Sequence, residues 1–147
     1  MYKWIGFFAL GLCAAMAAGR PDLNGVWQLD SNGLAGESKL KSETLVIHQS
    51  EDSVQISDDR TGKNGKEFKN EIDCNTLGQE CKLKSAQVSL WYNGSMLVLV
   101  ETQHDNTVVT KKRLTPSEDG KTLSMEVIHI APANQKTENL TFTKQQP

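Results

Sequence analysis

Few side chains here combine the types and spacings that chemistry needs. The three histidines are His48, His104 and His129. A metal site takes three or four converging nitrogen, sulfur or oxygen ligands. No two of these histidines have a helix or hairpin spacing that would bring them together, so surface or strand-end positions account for them. Acidic pairs stand at Glu51-Asp52, Asp58-Asp59 and Glu118-Asp119. Acid–base work needs a carboxyl tuned by burial, whereas these pairs read as turn residues that stay solvated. There is no Gly-x-Ser-x-Gly elbow, no His-Glu-x-x-His, no phosphate loop and no dinucleotide fingerprint. The sequence therefore nominates no catalytic residue, no metal ligand and no cofactor, and points away from an enzyme.

Cysteine usage and the N-terminus fix an expected compartment. Lys3 precedes an uncharged apolar run from Trp4 to Ala18, and Ala15-Met16-Ala17 fits a small-x-small cleavage site. The run is shorter than the roughly 20 residues of a spanning helix. Residues 1–19 thus read as a signal peptide and 20–147 as one domain, periplasmic or secreted, with no membrane span after cleavage. Loss of Cys13 leaves Cys74 and Cys81, with six residues between them. An even count after export, without the Cys-x-x-Cys spacing of redox or zinc pairs, predicts a disulfide that pins a loop. Removing Lys3 makes the domain one unit more acidic than the formal −2 of the whole chain. That balance argues against nucleic acid as a partner.

The elements that must position any site are strands. Short alternating runs recur from Gly25 to Lys144, rich in Val, Thr, Ile and Leu, and turn residues separate them. Nine strands are predicted, near 24–30, 43–50, 53–60, 66–73, 82–92, 95–104, 107–114, 121–130 and 137–144. Asn93-Gly94 predicts a type I′ hairpin, and Asp119-Gly120 a similar turn. Short connections make successive strands antiparallel neighbours. A meander of eight or nine strands hides its edges by closing, so the expected fold is an all-β, antiparallel, up-and-down barrel. Alternation assigns Leu45, Ile47, Val54, Ile56, Tyr92, Met96, Val98, Val100, Met125 and Leu140 to the interior, among others. Leu97 and Leu99 make their strand apolar on both faces, which calls for a cover over them: the 31–42 loop or a protein partner. A phase shift at Val127-Ile128 predicts a bulge.

Asn24-Gly25-Val26-Trp27, opening the first strand, resembles the Gly-x-Trp start of lipocalins and other calycins. Two later segments, Trp91 to Glu101 and Leu114 to Leu123, resemble small exported bacterial lipocalin-like proteins. The resemblance covers most of the mature chain. It implies a lipocalin-like β-barrel with Trp27 closing one end, and a periplasmic setting. The chain lacks the Thr-Asp-Tyr motif and the C-terminal helix of true lipocalins. Its last strand has no Arg to stack on Trp27, and Arg113 lies one strand pair earlier. Two functions follow. One is binding of a small hydrophobic ligand, with Trp27, Tyr92, Met96, Val98 and Met125 as lining candidates. The other is a cell-envelope interaction or inhibitor module with a filled barrel, which meets its partner through Leu97 and Leu99.

Overall fold

The computed structural model describes residues 19–36 and 38–147. The expected signal peptide, with Cys13, falls outside the described residues except for Gly19. Ten strands follow in order: β1 (Gly25–Leu29), β2 (Leu40–Gln49), β3 (Ser53–Gly62), β4 (Glu67–Asn75), β5 (Cys81–Lys82), β6 (Ala86–Asn93), β7 (Met96–Gln103), β8 (Val109–Pro116), β9 (Thr122–Ala131) and β10 (Glu138–Lys144). The predicted strand at 82–92 is divided, which accounts for the tenth. Among its described residues, the Gly- and Ser-rich segment after β1 makes only a single 3-10 turn, Ser31–Gly33, capped by the Asp30 carboxylate. Among the described residues no helix is long and apolar enough to cross a membrane.

All ten strands form one antiparallel sheet in the order β4-β3-β2-β1-β10-β9-β8-β7-β6-β5. The chain is an up-and-down meander in which β10 returns beside β1. The two sheet edges, β4 and β5, share no ladder. What joins them is the Cys74–Cys81 disulfide, and the Gly78 amide donates to the Leu90 carbonyl nearby at 2.8 Å. The barrel is nearly closed, and its seam is fastened covalently.

One end is sealed. Trp27 is fully buried, and its indole N–H donates to the Leu23 carbonyl at 2.9 Å. The Lys144 ammonium lies 5.4 Å above the ring. The cation over Trp27 thus comes from β10 as a lysine, while Arg113 points outward and pairs with Glu126 at 3.0 Å. Tyr92 stands at the same end, its hydroxyl accepting from Gln49 Nε2 at 2.8 Å, with Arg20 over its ring.

Cross-strand register settles which faces point in. Leu97 pairs with Tyr92 and Leu114, and Leu99 pairs with Leu90. Leu97 and Leu99 are therefore core residues, 0% and 2% exposed, and offer no partner surface. Met96, Val98 and Val100 lie on the outer face, a correction to their assignment inside. Val98 escapes solvent there because Trp91 and Arg113 flank it on the neighbouring strands. Two further details differ. The bulge is displaced to Ile130, between the pairs Thr110↔His129 and Val109↔Ala131. The β6–β7 hairpin turns on Gly94-Ser95, where only Gly94 has positive φ, the type II′ placement.

Candidate functional site

The barrel interior divides into two halves along its axis. Toward Trp27, Leu45, Leu90, Leu97, Leu123 and Phe142 form a solid core. Toward the opposite end, where β2, β3, β8 and β9 extend past that core, lies a cavity of about 900 Å³. Its apolar walls come from Leu40, Phe68, Val108, Met125, Val127 and Leu140. Its rim carries Lys39, Lys63 and Lys66, with the Lys66 ammonium 4.9 Å above the Phe68 ring.

Where the two halves meet, four charged side chains point inward. They are Glu43 on β2, Asp58 and Arg60 on β3, and Lys112 on β8. Glu43 and Arg60 are cross-strand partners, and Asp58 lies two residues before Arg60 on the same face. Glu43 and Asp58 are 2% and 4% exposed. Lys112 crosses the lumen, its Nζ reaching to 3.9 Å from Asp58 Oδ2, although β8 is five strands away from β3 in the sheet. Arg60 Nε stands 3.3 Å from the same oxygen, but out of line for a hydrogen bond.

The electrostatics turn on Glu43. Burial, then the neighbouring Asp58 carboxylate, push its pKa from the ordinary 4.5 to about 8, against the pull of Lys112 and Arg60. Glu43 is accordingly protonated at neutral pH. Asp58 Oδ1 is buried and meets no nitrogen or hydroxyl donor. Protonated Glu43 shares a side-chain hydrogen bond with Asp58, which offsets part of the cost of burying that carboxylate. The cluster then holds one surplus positive charge, from Arg60 and Lys112 against Asp58. Farther up the wall, His129 Nε2 lies 3.4 Å from Glu138 Oε2. Among the described residues no group of histidine, cysteine or carboxylate side chains is arranged to hold a metal ion. His104 ties the turn before β6, meeting the Leu83 and Lys84 carbonyls at 3.1 and 3.0 Å.

Of the five lining candidates, Met125 borders the cavity. Trp27 and Tyr92 face the lumen at the sealed end, and Met96 and Val98 face outward. The expectation that Asp58-Asp59 is a solvated turn pair is overturned: Asp58 is a buried mid-strand residue, because β3 runs through to Gly62. The four cluster residues carried a signal in the alternation itself. Leu45 and Ile47 inside put Glu43 inside, two positions earlier. Val54 and Ile56 inside put Asp58 and Arg60 inside, and Leu114 does the same for Lys112.

No protein-family model matches the chain, and no curated protein matches it in sequence. Solved structures do match in shape. The fluorescent protein UnaG superposes with a TM-score of 0.61 at 12% identity, covering 84% of this chain and 97% of that one. Secretory abundant heat soluble protein 4 from Ramazzottius varieornatus gives 0.61 at 16% identity, with 84% and 94% covered. The fatty-acid-binding protein of Manduca sexta gives 0.54 at 13% identity, with 82% and 98% covered. At these identities the likeness is one of fold: a nearly closed, antiparallel up-and-down β-barrel.

Proposed function

We propose that this protein is an exported binding barrel that holds one small hydrophobic ligand in its open half. The cavity of about 900 Å³, with aliphatic, methionine and phenylalanine side chains alongside polar and charged ones in its wall, carries this reading. Ligand pockets are typically about 300–1,000 Å³ and mostly apolar. A barrel filled from end to end, which the envelope-module alternative requires, would leave no such space. One of the similar barrels is a fatty-acid-binding protein, which agrees with an apolar ligand. The charge-free run from Trp4 to Ala18 behind Lys3, and the Cys74–Cys81 bridge, support export to an oxidising compartment such as the periplasm.

The test is uptake of Nile red, a neutral apolar dye, with native mass spectrometry of protein purified from the periplasm of an expressing bacterium. Saturable dye binding is expected, weakened by Met125→Trp, which narrows the cavity, and retained by Met96→Trp on the outer face. A protein that takes up no dye and carries no bound lipid or other hydrophobe would overturn the carrier reading.

A further inference from the structure

The cavity is charged against the grain of the chain. The whole sequence is formally −2, yet five lysine and arginine side chains border this cavity against three glutamates. Three of the cations are rim lysines. The other two, Arg60 and Lys112, belong to the floor. Arg60 approaches Asp58 through its Nε at 3.3 Å, and its two terminal nitrogens make no hydrogen bond to the protein among the described residues. A guanidinium fork turned into a cavity matches an anion that accepts two parallel hydrogen bonds.

That floor is cationic only while Glu43 stays neutral. From β3, Glu43 faces Asp58 and Arg60, and Lys112 reaches it from β8 across the lumen; β1 contributes only Leu29 at this level. The remaining titratable groups of the cavity stand higher: Glu101 on β7, His129 on β9 and Glu138 on β10 along the wall, then the rim lysines. With Glu43 protonated, Arg60 and Lys112 outnumber Asp58 by one charge. With Glu43 ionised, two carboxylates cancel the two cations, and an incoming anion would meet a neutral floor with a carboxylate beside it.

We propose that Glu43 is the specificity-determining residue of the cavity: with its proton in place the floor accepts an amphiphile with a single anionic head on Arg60 and Lys112, and on losing that proton it rejects the same head. The inference deepens the carrier reading and rests on it. It assigns the ligand an acid head and an apolar tail toward the rim, and it makes the protein bind the anion and a proton together. Loading belongs to neutral or mildly acidic conditions, and release to alkaline ones.

Three probes of equal chain length separate the possibilities: dodecanoate, dodecanol and dodecylamine, each displacing Nile red. Measurements at about pH 6.5 and about pH 9.5 bracket the Glu43 value of about 8. Dodecanoate should bind best at the lower pH and lose roughly tenfold or more at the higher, as expected for one charge placed near the head group. Dodecanol should show no such loss. Glu43→Gln, which keeps a neutral donor opposite Asp58, should flatten the dodecanoate profile. Calorimetry on the unmodified protein near pH 8, in two buffers of different ionisation enthalpy, should read proton uptake on binding dodecanoate and none on binding dodecanol. Equal displacement by all three probes, an unchanged pH profile in Glu43→Gln, or binding without proton uptake would overturn this inference and leave the carrier reading intact. Failure of Nile red itself to bind would overturn the carrier reading first, and this inference with it.

Discussion

Replacing Glu43 by Gln should stabilise the protein, and increasingly so as the pH rises. The residue is 2% exposed and sits against Asp58, so its carboxyl holds a proton in the folded state up to about pH 8, whereas in the unfolded chain it releases it near 4.5. Below 4.5 both states are protonated, and Glu43 contributes no pH dependence. Between 4.5 and about 8 only the folded state binds the proton, so the unfolded state is favoured as pH rises, by about 1.4 kcal/mol per unit. The accumulated cost is on the order of 3 kcal/mol at pH 7, and it levels off once the folded carboxyl also ionises. Gln has the shape of the protonated acid and keeps an N–H to offer the Asp58 carboxylate, but it has nothing to ionise. Urea unfolding of both proteins, with the disulfide intact, at about pH 5 and about pH 8.5 reads the effect directly. The two should be nearly equal at the lower pH, with Glu43→Gln several kcal/mol more stable at the higher. A difference that does not change with pH would refute the assignment of a buried, protonated Glu43.

The remaining predictions concern the frame. Replacing both Cys74 and Cys81 by Ala removes a short covalent loop and should cost roughly 2–3 kcal/mol in the same unfolding assay. An unchanged midpoint would mean the seam holds without the bridge. Trp27→Ala empties the sealed end and should cost about 3–5 kcal/mol; a loss under about 1 kcal/mol would show that end to be loosely packed. Leu99→Ser should destabilise by about 3 kcal/mol or more, because it both opens a cavity and buries a hydroxyl. Met96→Ser on the outer face should stay within about 1 kcal/mol. Equal losses would contradict the facing of β7.

Much of the frame was legible because it is local. Alternation and turn residues marked the strands, and short connections forced an antiparallel meander whose edges had to be dealt with. The cysteine count expected after signal cleavage predicted the bridge now found across the seam. The facing of β7 was not legible, since Met96 to Val100 is apolar at every position and alternation gives no phase. Register against Tyr92, Leu90 and Leu114 supplies it. Asp58 is masked in the sequence for a different reason. Beside Asp59 it has the composition of a turn, which competes with the alternation of Val54 and Ile56 that puts it inside; β3 running on to Gly62 decides for the strand.

The sequence by itself determined an antiparallel barrel, because alternation and turns depend on neighbours within a few residues; its resemblance to calycins implied a Trp27-closed end, and two of its three cysteines, those left by the expected export, a disulfide-pinned loop. Only the tertiary structure decided that the barrel is half core and half cavity. It alone brought Glu43, Asp58, Arg60 and Lys112 together from β2, β3 and β8. Ring closure places β8 opposite β3 across the lumen, and the burial and Coulomb interactions that set the charge of the floor exist only after that closure.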